Sequence, residues 1–302
     1  FLMKKAKLIL DNNELDLEIV QGSESECAID ITKLRSQTGY ITLDPGYANT
    51  GSCLSNITFI DGEKGILRYR GYPIEDLAGK VKFTDVAYLL LYGEIPNQDV
   101  KAEFSKSLRQ HANIHEDMKR FFDGFPLNAH PMATLSSMVT ALSAFHPESE
   151  EDDIDIIDSN IIKILAKVKT IAAYSYRKYN GLPFIYPDQD LNYVENFLHM
   201  MFSDSQEEFH ADPVLVDALN LLLILHADHE QNCSTSTVRV VGSSHASLYA
   251  SVSAGIAALW GPLHGGANQA VIEMLEAIRI DGGDVDKYVA KAKDKDDAFR
   301  LM

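Results

Sequence analysis

The chain has 302 residues, of which 46% are hydrophobic and 24% charged, a composition that indicates a folded protein with a sizeable core and more than one domain. Its formal net charge is −17. Such a surface repels phosphate backbones and anionic membranes, so we expect neither nucleic-acid binding nor membrane association.

The first part of the chain has the alternation and turn signals of β-strands. Residues 7–10 and 15–20 read as two strands separated by a turn-prone stretch. Residues 57–60 and 66–69 are separated by a segment that begins Asp-Gly, a pattern that predicts a β-hairpin. The sequence therefore predicts a β-rich N-terminal region over residues 1–70.

Beyond Pro73 the pattern changes to that of helices. Apolar residues recur there at spacings of three and four, and Gly or Pro punctuates most of the joins. The pattern predicts helices over residues 83–91, 131–145, 157–179 and 191–202. Since no strands alternate with these helices, a doubly wound sheet is disfavoured and a mainly α fold is expected.

A largely apolar helix leads into a polar cluster. Asp212 and Pro213 provide an N-cap and a first helical residue, and residues 214–225 are so apolar that we expect burial on most faces of the helix. The segment that follows, residues 226–232, reads His-Ala-Asp-His-Glu-Gln-Asn. Because unpaired polar groups are costly in apolar surroundings, this cluster indicates a hydrogen-bond network or a ligand site.

A metal site is a further interpretation of this cluster. His226 and His229 are three residues apart and can share one face of a helix. No His-Glu-x-x-His pattern is present, however, and no third ligand stands at a usual spacing. We therefore expect no metal here.

A second candidate site lies at His264. A helix rich in Ala, Ser and Gly is predicted for residues 245–259 and is expected to pack centrally, and His264 follows it, next to glycines that begin an amphipathic helix. The positive end of that helix disfavours a second positive charge, so we expect a neutral imidazole. Such an imidazole can donate a hydrogen bond to a carbonyl oxygen that gains charge during enolisation. An anion site at the helix start and a simple capping histidine are the alternatives, and the residues alone leave the chemistry open.

The cysteines and the apolar stretches bear on the cellular compartment. Cys27, Cys53 and Cys233 are too few and too scattered for a disulfide framework or a zinc module, which favours a reducing compartment. No signal peptide is predicted, and the apolar stretch 246–260 is too short to cross a bilayer. We expect a soluble, cytoplasmic protein.

Three blocks of the sequence resemble the citrate synthases. They are residues 59–71 (FIDGEKGILRYRG), residues 225–232 (LHADHEQN) continuing through 234–237 (STST), and residues 259–268 (LWGPLHGGAN). Their order and separation match the family, and the resemblance extends over nearly the whole chain from Lys5 onward. The β-rich opening resembles that of the Gram-negative, hexamer-forming type.

The resemblance implies an architecture and a reaction. It implies a β-rich region over residues 1–70, a large helical domain over 71–276 and the beginning of a small helical domain over 277–302, with the two domains closing over the substrate. It implies an acyltransferase of the tricarboxylic acid cycle that condenses acetyl-CoA with oxaloacetate and hydrolyses citryl-CoA. No cofactor would be permanently bound, and the unit would be a homodimer, with a hexamer as a larger assembly.

The resemblance also assigns roles to residues of the two candidate sites. The histidine that matches His264 binds the thioester carbonyl oxygen and stabilises the enol, and Ser234 matches a residue that orients it. His229 matches a residue that contacts oxaloacetate. Asn232 lies in the same wall of the oxaloacetate site, and His226 is expected to support that wall.

An allosteric site is a further implication of the hexameric type, which binds NADH away from the catalytic centre. His111, Lys163 and Lys167 stand at matching positions. Gln206, however, takes the place of a reactive cysteine and His146 that of a tyrosine. Solvated surface lysines are the alternative interpretation.

The sequence departs from the family at its end. Citrate synthases continue into a Gly-Phe-Gly-His-Arg-Val-Tyr block, a catalytic aspartate and the arginines that hold oxaloacetate, and none of these occurs in the 302 residues. Without a base and those arginines we expect this chain by itself to be inactive, so the function inferred is that of its parent protein. A 2-methylcitrate synthase that uses propionyl-CoA and a catalytically inactive binding or regulatory protein are the rival hypotheses.

Overall fold

The computed structural model describes residues 4–11, 13–150, 153–204, 209–294, 296, 297 and 299, without the side chain of residue 150. The chain divides into two compact units, Phe1–Asn56 and Ile57–Met302. The domain boundaries expected at residues 70 and 276 remain predictions.

The first unit contains an antiparallel sheet with the strand order β1-β2-β3, formed by β1 (Lys5–Leu10), β2 (Asn13–Gln21) and β3 (Cys27–Ile29). Leu8 pairs with Leu15, which sets the register between the first two strands. Side chains along β1 alternate between exposed and half-buried positions, as expected for a strand with one covered face. A short helix, α1 (Leu34–Thr38), follows. The two strands predicted from alternation are thus confirmed.

The second unit begins with the predicted hairpin. Strands β4 (Thr58–Asp61) and β5 (Ile66–Tyr69) pair with Asp61 opposite Ile66, and β6 (Tyr72–Pro73) adds a third strand. The Asp61 carboxylate closes the turn, because it accepts a hydrogen bond of 3.0 Å from the backbone N–H of Lys64.

The rest of the second unit is helical, as the apolar spacing predicts. Its helices are α2 (Ile74–Leu77), α3 (Phe83–Tyr92), α4 (Gln98–Gln110), α5 (Glu116–Lys119), α6 (Pro131–Phe145), α7 (Ile154–Tyr179), α8 (Tyr193–Phe202), α9 (Pro213–Leu225), α10 (Cys233–Gly242), α11 (Leu248–Leu259), α12 (Gly266–Ile280) and α13 (Val285–Lys293). In the described part of the chain, none of the helices is both long enough and apolar enough to cross a membrane.

The main core lies where α6, α7 and α11 pack together. Tyr174 of α7 is fully buried and its ring stacks on that of Phe184 at a centroid distance of 4.4 Å. Tyr249 of α11 is also fully buried, and its hydroxyl donates to Asn160 Oδ1 at 2.9 Å, which satisfies both polar groups. The prediction of a centrally packed helix after residue 245 is confirmed.

The expected burial of α9 on most faces is wrong. Of this helix only Ile224 is fully buried, while Val214 and Leu222 are 72% and 52% exposed. The helix packs one side against α3 and α8. Its apolar residues encircle it, so packing against one side leaves the others uncovered.

Candidate active site

Two of the three sequence blocks meet at Tyr69, the last residue of β5. Its side chain is fully buried, and its hydroxyl donates to the Ile224 carbonyl at 3.0 Å and accepts from the Asp228 N–H at 3.4 Å. Burial raises the pKa of Tyr69, so the hydroxyl remains a donor at neutral pH. The hairpin therefore anchors the segment of residues 226–232, which connects α9 to α10.

Glu230 ties the same segment to the hairpin from the other side. Its carboxylate accepts a 2.7 Å hydrogen bond from the Ile60 N–H of β4. The backbone of Glu230 is in the left-handed region, with φ of 58°, and its N–H donates to the Asp228 carboxylate at 3.2 Å. These contacts hold a conformation that non-glycine residues seldom adopt.

His226 and His229 are both exposed, and their ring centroids lie 6.3 Å apart. Each ring bonds a backbone carbonyl four residues earlier: His226 Nδ1 donates to Leu222 at 2.8 Å, and His229 Nε2 donates to Leu225 at 2.9 Å. The ring atom of His229 left for a ligand is therefore Nδ1. No group of three or more His, Cys, Asp or Glu side chains in the described residues is placed to hold a metal ion.

Asn232 is the N-cap of α10. Its side-chain oxygen accepts from the Thr235 N–H at 3.0 Å, which leaves the amide NH₂ group as a donor at a helix start. Ser234 lies two residues further on, in the first helical turn, where backbone N–H groups have no partner within the helix. The polar cluster after α9 thus continues directly into the Ser234 site.

Ser234 holds His264. The Ser234 N–H donates to His264 Nε2 at 3.3 Å, and the Ser234 hydroxyl oxygen lies 2.8 Å from the same nitrogen. The hydroxyl also lies 2.8 Å from the Gly255 carbonyl of α11. Because a backbone amide can only donate, Nε2 is the acceptor, and a neutral imidazole then carries its proton on Nδ1. His264 is half-buried, so this N–H can meet a ligand.

Two glycines permit this arrangement. A Cβ at Gly265 would lie 2.1 Å from the Leu259 carbonyl oxygen, so no side chain fits between His264 and the start of α12. A Cβ at Gly255 would lie 2.6 Å from Val238 Cγ2, which means that α10 and α11 approach closely only because this position is glycine. At Gly265 the backbone of α11, and not a ligand, occupies the space that the missing side chain leaves.

The predicted allosteric residues lie together between α4 and α7. Lys167 is only 8% exposed, and its ammonium donates to the backbone carbonyls of His111 at 3.0 Å and Asn113 at 2.5 Å. Burial, and then Lys163, lowers the pKa of Lys167 to about 8. The interpretation of Lys167 as a solvated surface lysine is therefore wrong.

Lys163 and two histidines complete this cluster. Lys163 pairs with Glu148 at 2.8 Å, and His146 Nδ1 lies 3.3 Å from the same carboxylate oxygen. Burial, followed by the charges of Lys167 and Lys163, lowers the pKa of both His111 and His146. The position of Gln206 lies outside the described residues.

Sequence reasoning missed the supporting roles of Tyr69, Glu230 and Gly255. Tyr69 and Glu230 belong to the quoted blocks, but nothing in a linear pattern indicates that one block bonds the other. The presence of Glu230 among five other polar residues of the segment 226–232 was the available signal.

Comparison with known proteins identifies the family of the chain. The family model described as "Citrate synthase, C-terminal domain" matches residues 46–302. The chain is 54% identical to citrate synthase 1 of Mycobacterium tuberculosis over 298 residues, which are 98% of this chain and 69% of that protein.

Solved structures show the same fold. The citrate synthase from Pyrobaculum aerophilum matches with a TM-score of 0.74 and 35% identity, over 88% of this chain and 68% of that one. The Thermoplasma acidophilum citrate synthase, solved as a ternary complex with carboxymethyl coenzyme A and oxaloacetate, matches with a TM-score of 0.73 and 28% identity, over 86% of this chain and 67% of that one. The chain belongs to the citrate synthase family.

Proposed function

We propose that the protein condenses acetyl-CoA with oxaloacetate and hydrolyses the resulting citryl-CoA to citrate and CoA, as an acyltransferase of the tricarboxylic acid cycle. The observation that carries this proposal is the Ser234–His264 pair, which leaves a proton on Nδ1 of a half-buried histidine. The Thermoplasma relative, solved with a coenzyme A derivative and oxaloacetate, supports the substrate assignment.

The chemistry assigned to His264 is stabilisation of an enol. Removal of a proton from the acetyl methyl group shifts negative charge onto the thioester oxygen. A donor already aimed at that oxygen stabilises the charge without having to reorganise. Ser234 acts as a positioning residue, since its amide and hydroxyl fix the ring while the opposite nitrogen meets the substrate.

The oxaloacetate wall is assigned to His229 and Asn232, with His226 in support. His229 offers Nδ1 and Asn232 offers its amide NH₂ group, both next to the N-terminus of α10. The positive end of a helix favours a dicarboxylate, which matters in a chain of net charge −17.

The test uses the full-length protein that contains this sequence, with release of the CoA thiol followed by a thiol reagent. His264→Ala is expected to lower kcat by about 10²- to 10⁴-fold, while calorimetric binding of oxaloacetate changes little. The matched control is His245→Asn, because His245 is exposed and has φ of 60°, a conformation that Asn tolerates. Near-normal turnover of His264→Ala would exclude the enol-stabilising role.

The protein is proposed to prefer acetyl-CoA to propionyl-CoA as its acyl substrate. The relative at 54% identity is a citrate synthase, and the 2-methylcitrate synthase alternative is therefore not favoured. A ratio of kcat/KM values above one for acetyl-CoA against propionyl-CoA is expected; the inverse ratio would overturn the assignment. Turnover with either substrate excludes an inactive binding or regulatory protein.

The protein is proposed to form a homodimer, with a hexamer of the Gram-negative type as the larger assembly. Its proposed compartment is the cytoplasm. Exposed apolar side chains on α9, among them Val214 and Leu222, are consistent with a covering partner subunit. The three cysteines are free thiols, in keeping with a reducing compartment. Sedimentation analysis of the full-length protein tests the assembly, and a monomer at micromolar concentration would contradict it.

NADH is assigned as an allosteric inhibitor bound at the cluster of His111, Lys163 and Lys167. The cluster concentrates positive charge in a partly buried place, which suits a pyrophosphate. Lys167 already serves two carbonyls, so Lys163 is the cation that can exchange its Glu148 partner for a phosphate.

Inhibition kinetics of the full-length protein test this assignment. Lys163→Gln is expected to raise the inhibition constant of NADH about tenfold or more. Lys106→Gln serves as the control, since Lys106 is an exposed residue on the outer side of α4. Equal inhibition of both variants, or none of the unsubstituted protein, would refute an NADH site at this cluster.

A further inference from the structure

A second group of cations surrounds a small cavity on another side of α7. The cavity has a volume of about 90 Å³ and lies among the first residues of α3 and α8, the end of α4 and the middle of α7. The residues that line it are Lys82, Phe83, Thr84, Ser105, Leu108, Arg109, Lys169, Asn192, Tyr193, Val194 and Asn220. We call it the Lys169 cavity.

The charges around the Lys169 cavity all have one sign. Its charged lining residues are Lys82, Arg109 and Lys169, and no carboxylate of the described chain lines it. In a protein with 44 acidic and 27 basic residues, three cations gathered without an acidic partner leave an uncompensated positive field. An anion that enters the cavity would be attracted by all three cations.

Lys169 is the most informative of these residues. It is 4% exposed, and its ammonium has no hydrogen-bond acceptor among the described residues. The ammonium lies 4.5 Å from the centroid of the Tyr193 ring, a cation–π contact that offsets only part of the cost of burying a charge. Lys167, two residues earlier on α7, differs in this respect, because its ammonium donates to two backbone carbonyls.

Neutral donors and helix starts complete the cavity. The Asn192 side-chain oxygen caps α8 by accepting from the amides of Val194 and Glu195 at 3.0 Å each, so its NH₂ group remains a donor. The hydroxyl groups of Thr84 and Ser105 are further donors in the lining. Helices α3 and α8 both begin here, although Asp85 and Glu195 in their first turns offset the positive helix ends, so the attraction for an anion depends on the three cations.

We propose that the Lys169 cavity binds a small oxyanion of the phosphoryl class, with Lys169 and Arg109 as its charge partners and Asn192 as a hydrogen-bond donor. The volume admits one such group and no complete nucleotide. A larger phosphate ester would extend into the adjoining groove between α3, α4, α8 and α9, whose lining shares Lys82, Ser105 and Asn192 with the cavity.

The lowered pKa of Lys169 agrees with its burial next to another cation. Burial, and then the charge of Arg109, lowers the pKa of Lys169 to about 8. The other charged groups near the cavity are Lys82 and, in the adjoining groove, Asp85, Lys101 and Glu195. Asp85 is already paired with Lys101 at 2.9 Å, so it does not neutralise Lys169.

The experiment measures thermal unfolding and calorimetric binding of the full-length protein with inorganic phosphate, against sodium chloride of equal ionic strength. Phosphate is expected to raise Tm because it binds the folded state alone. Lys169→Met should abolish this rise and weaken phosphate binding about tenfold or more. Lys106→Met removes a lysine from the same protein without touching the cavity and should keep the full effect.

Two further variants keep the proposal open to refutation. Arg109→Leu alters a partly exposed residue and serves if Lys169→Met fails to fold; it too should weaken phosphate binding. Lys163→Met measures phosphate bound at the cluster of His111, Lys163 and Lys167, and the part of the Tm rise that Lys169→Met removes should remain in this variant. The proposal is overturned if phosphate fails to stabilise the unsubstituted protein, if all variants respond equally, or if Lys163→Met alone loses the response.

A comparison of ligands identifies the source of the oxyanion. If a sugar phosphate competes with inorganic phosphate and binds more tightly, the ligand is an ester that reaches the adjoining groove. If inorganic phosphate binds more tightly, free phosphate is the ligand. Both results require loss of binding in Lys169→Met, and binding that survives this substitution places the ligand elsewhere and refutes the proposal.

Discussion

Ser234 and His264 are joined by two contacts at one ring nitrogen, the backbone amide at 3.3 Å and the hydroxyl oxygen at 2.8 Å. The amide belongs to the first turn of α10, and the hydroxyl also reaches the Gly255 carbonyl of α11. The orientation of the imidazole is therefore set by the packing of two helices against each other. Substitutions that disturb this packing should affect catalysis through the ring and not through substrate contacts.

Ser234→Ala tests the positioning role. Loss of the hydroxyl leaves the amide contact alone, so we expect kcat to fall about 10- to 100-fold in the full-length enzyme, with little change in oxaloacetate binding. Ser236→Ala is the matched control, because its hydroxyl donates to the Gln231 carbonyl at 3.3 Å and does not reach His264. Steady-state kinetics at saturating oxaloacetate measure the effect. A Ser234→Ala enzyme as fast as the control would show that the hydroxyl does not position the ring.

Gly265→Ala tests the close approach of α11 to the start of α12. The added methyl group would meet the Leu259 carbonyl oxygen at 2.1 Å, so we expect a loss of about 1–3 kcal/mol in the free energy of unfolding. Gly266→Ala is the control, since its Cβ would lie 3.6 Å from Pro262 Cβ, an ordinary contact. Urea unfolding compares the two. Equal stability of the two variants would mean that the backbone relaxes without cost.

Lys167→Met and Lys169→Met should have opposite effects on stability. Lys167→Met leaves the part-buried carbonyls of His111 and Asn113 without this donor, so the free energy of unfolding is expected to fall by about 1–3 kcal/mol in total. Lys169→Met removes a buried charge that has no hydrogen-bond acceptor among the described residues. The free energy of unfolding is therefore expected to rise by about 1–3 kcal/mol near neutral pH in chloride buffer. Chemical unfolding measures both. Destabilisation of similar size in the two variants would indicate that Lys169 has a partner in the full-length protein.

The stability difference between the unsubstituted protein and Lys169→Met should depend on pH. The pKa of Lys169 falls from 10.5 to about 8 on folding. Between these values the unfolded state binds more protons than the folded state, so the stability of the unsubstituted protein rises with pH across this window. The Lys169→Met variant lacks this pH-dependent contribution to stability. Lys167, whose pKa is also lowered, contributes equally in both proteins and cancels from the difference. The advantage of the variant should therefore shrink as the pH rises through 8. Urea unfolding in phosphate-free buffer measures it, and a difference independent of pH would contradict the assigned pKa.

Local signals in the sequence were sufficient for most of the elements. Apolar spacing predicts a helix over residues 131–145, and the structure has it at Pro131–Phe145. An Asp-Gly turn between apolar runs predicts the hairpin, whose second strand is Ile66–Tyr69. The position of His264 ahead of a helix start was likewise evident, since the glycines and the following amphipathic pattern lie within a few residues of it.

The sequence by itself thus determined most of the elements, the family and the candidate residues His226, His229, Asn232, Ser234 and His264. The tertiary structure alone decided which of them touch: Ser234 bonds His264, and Tyr69 bonds the Ile224 carbonyl across 155 residues. It also decided that Lys167 bonds two carbonyls whereas Lys169 faces a cavity. The physical reason is that hydrophobic periodicity reports only neighbours three or four residues away. The packing of helices, by contrast, sets the partners and the burial of each polar group.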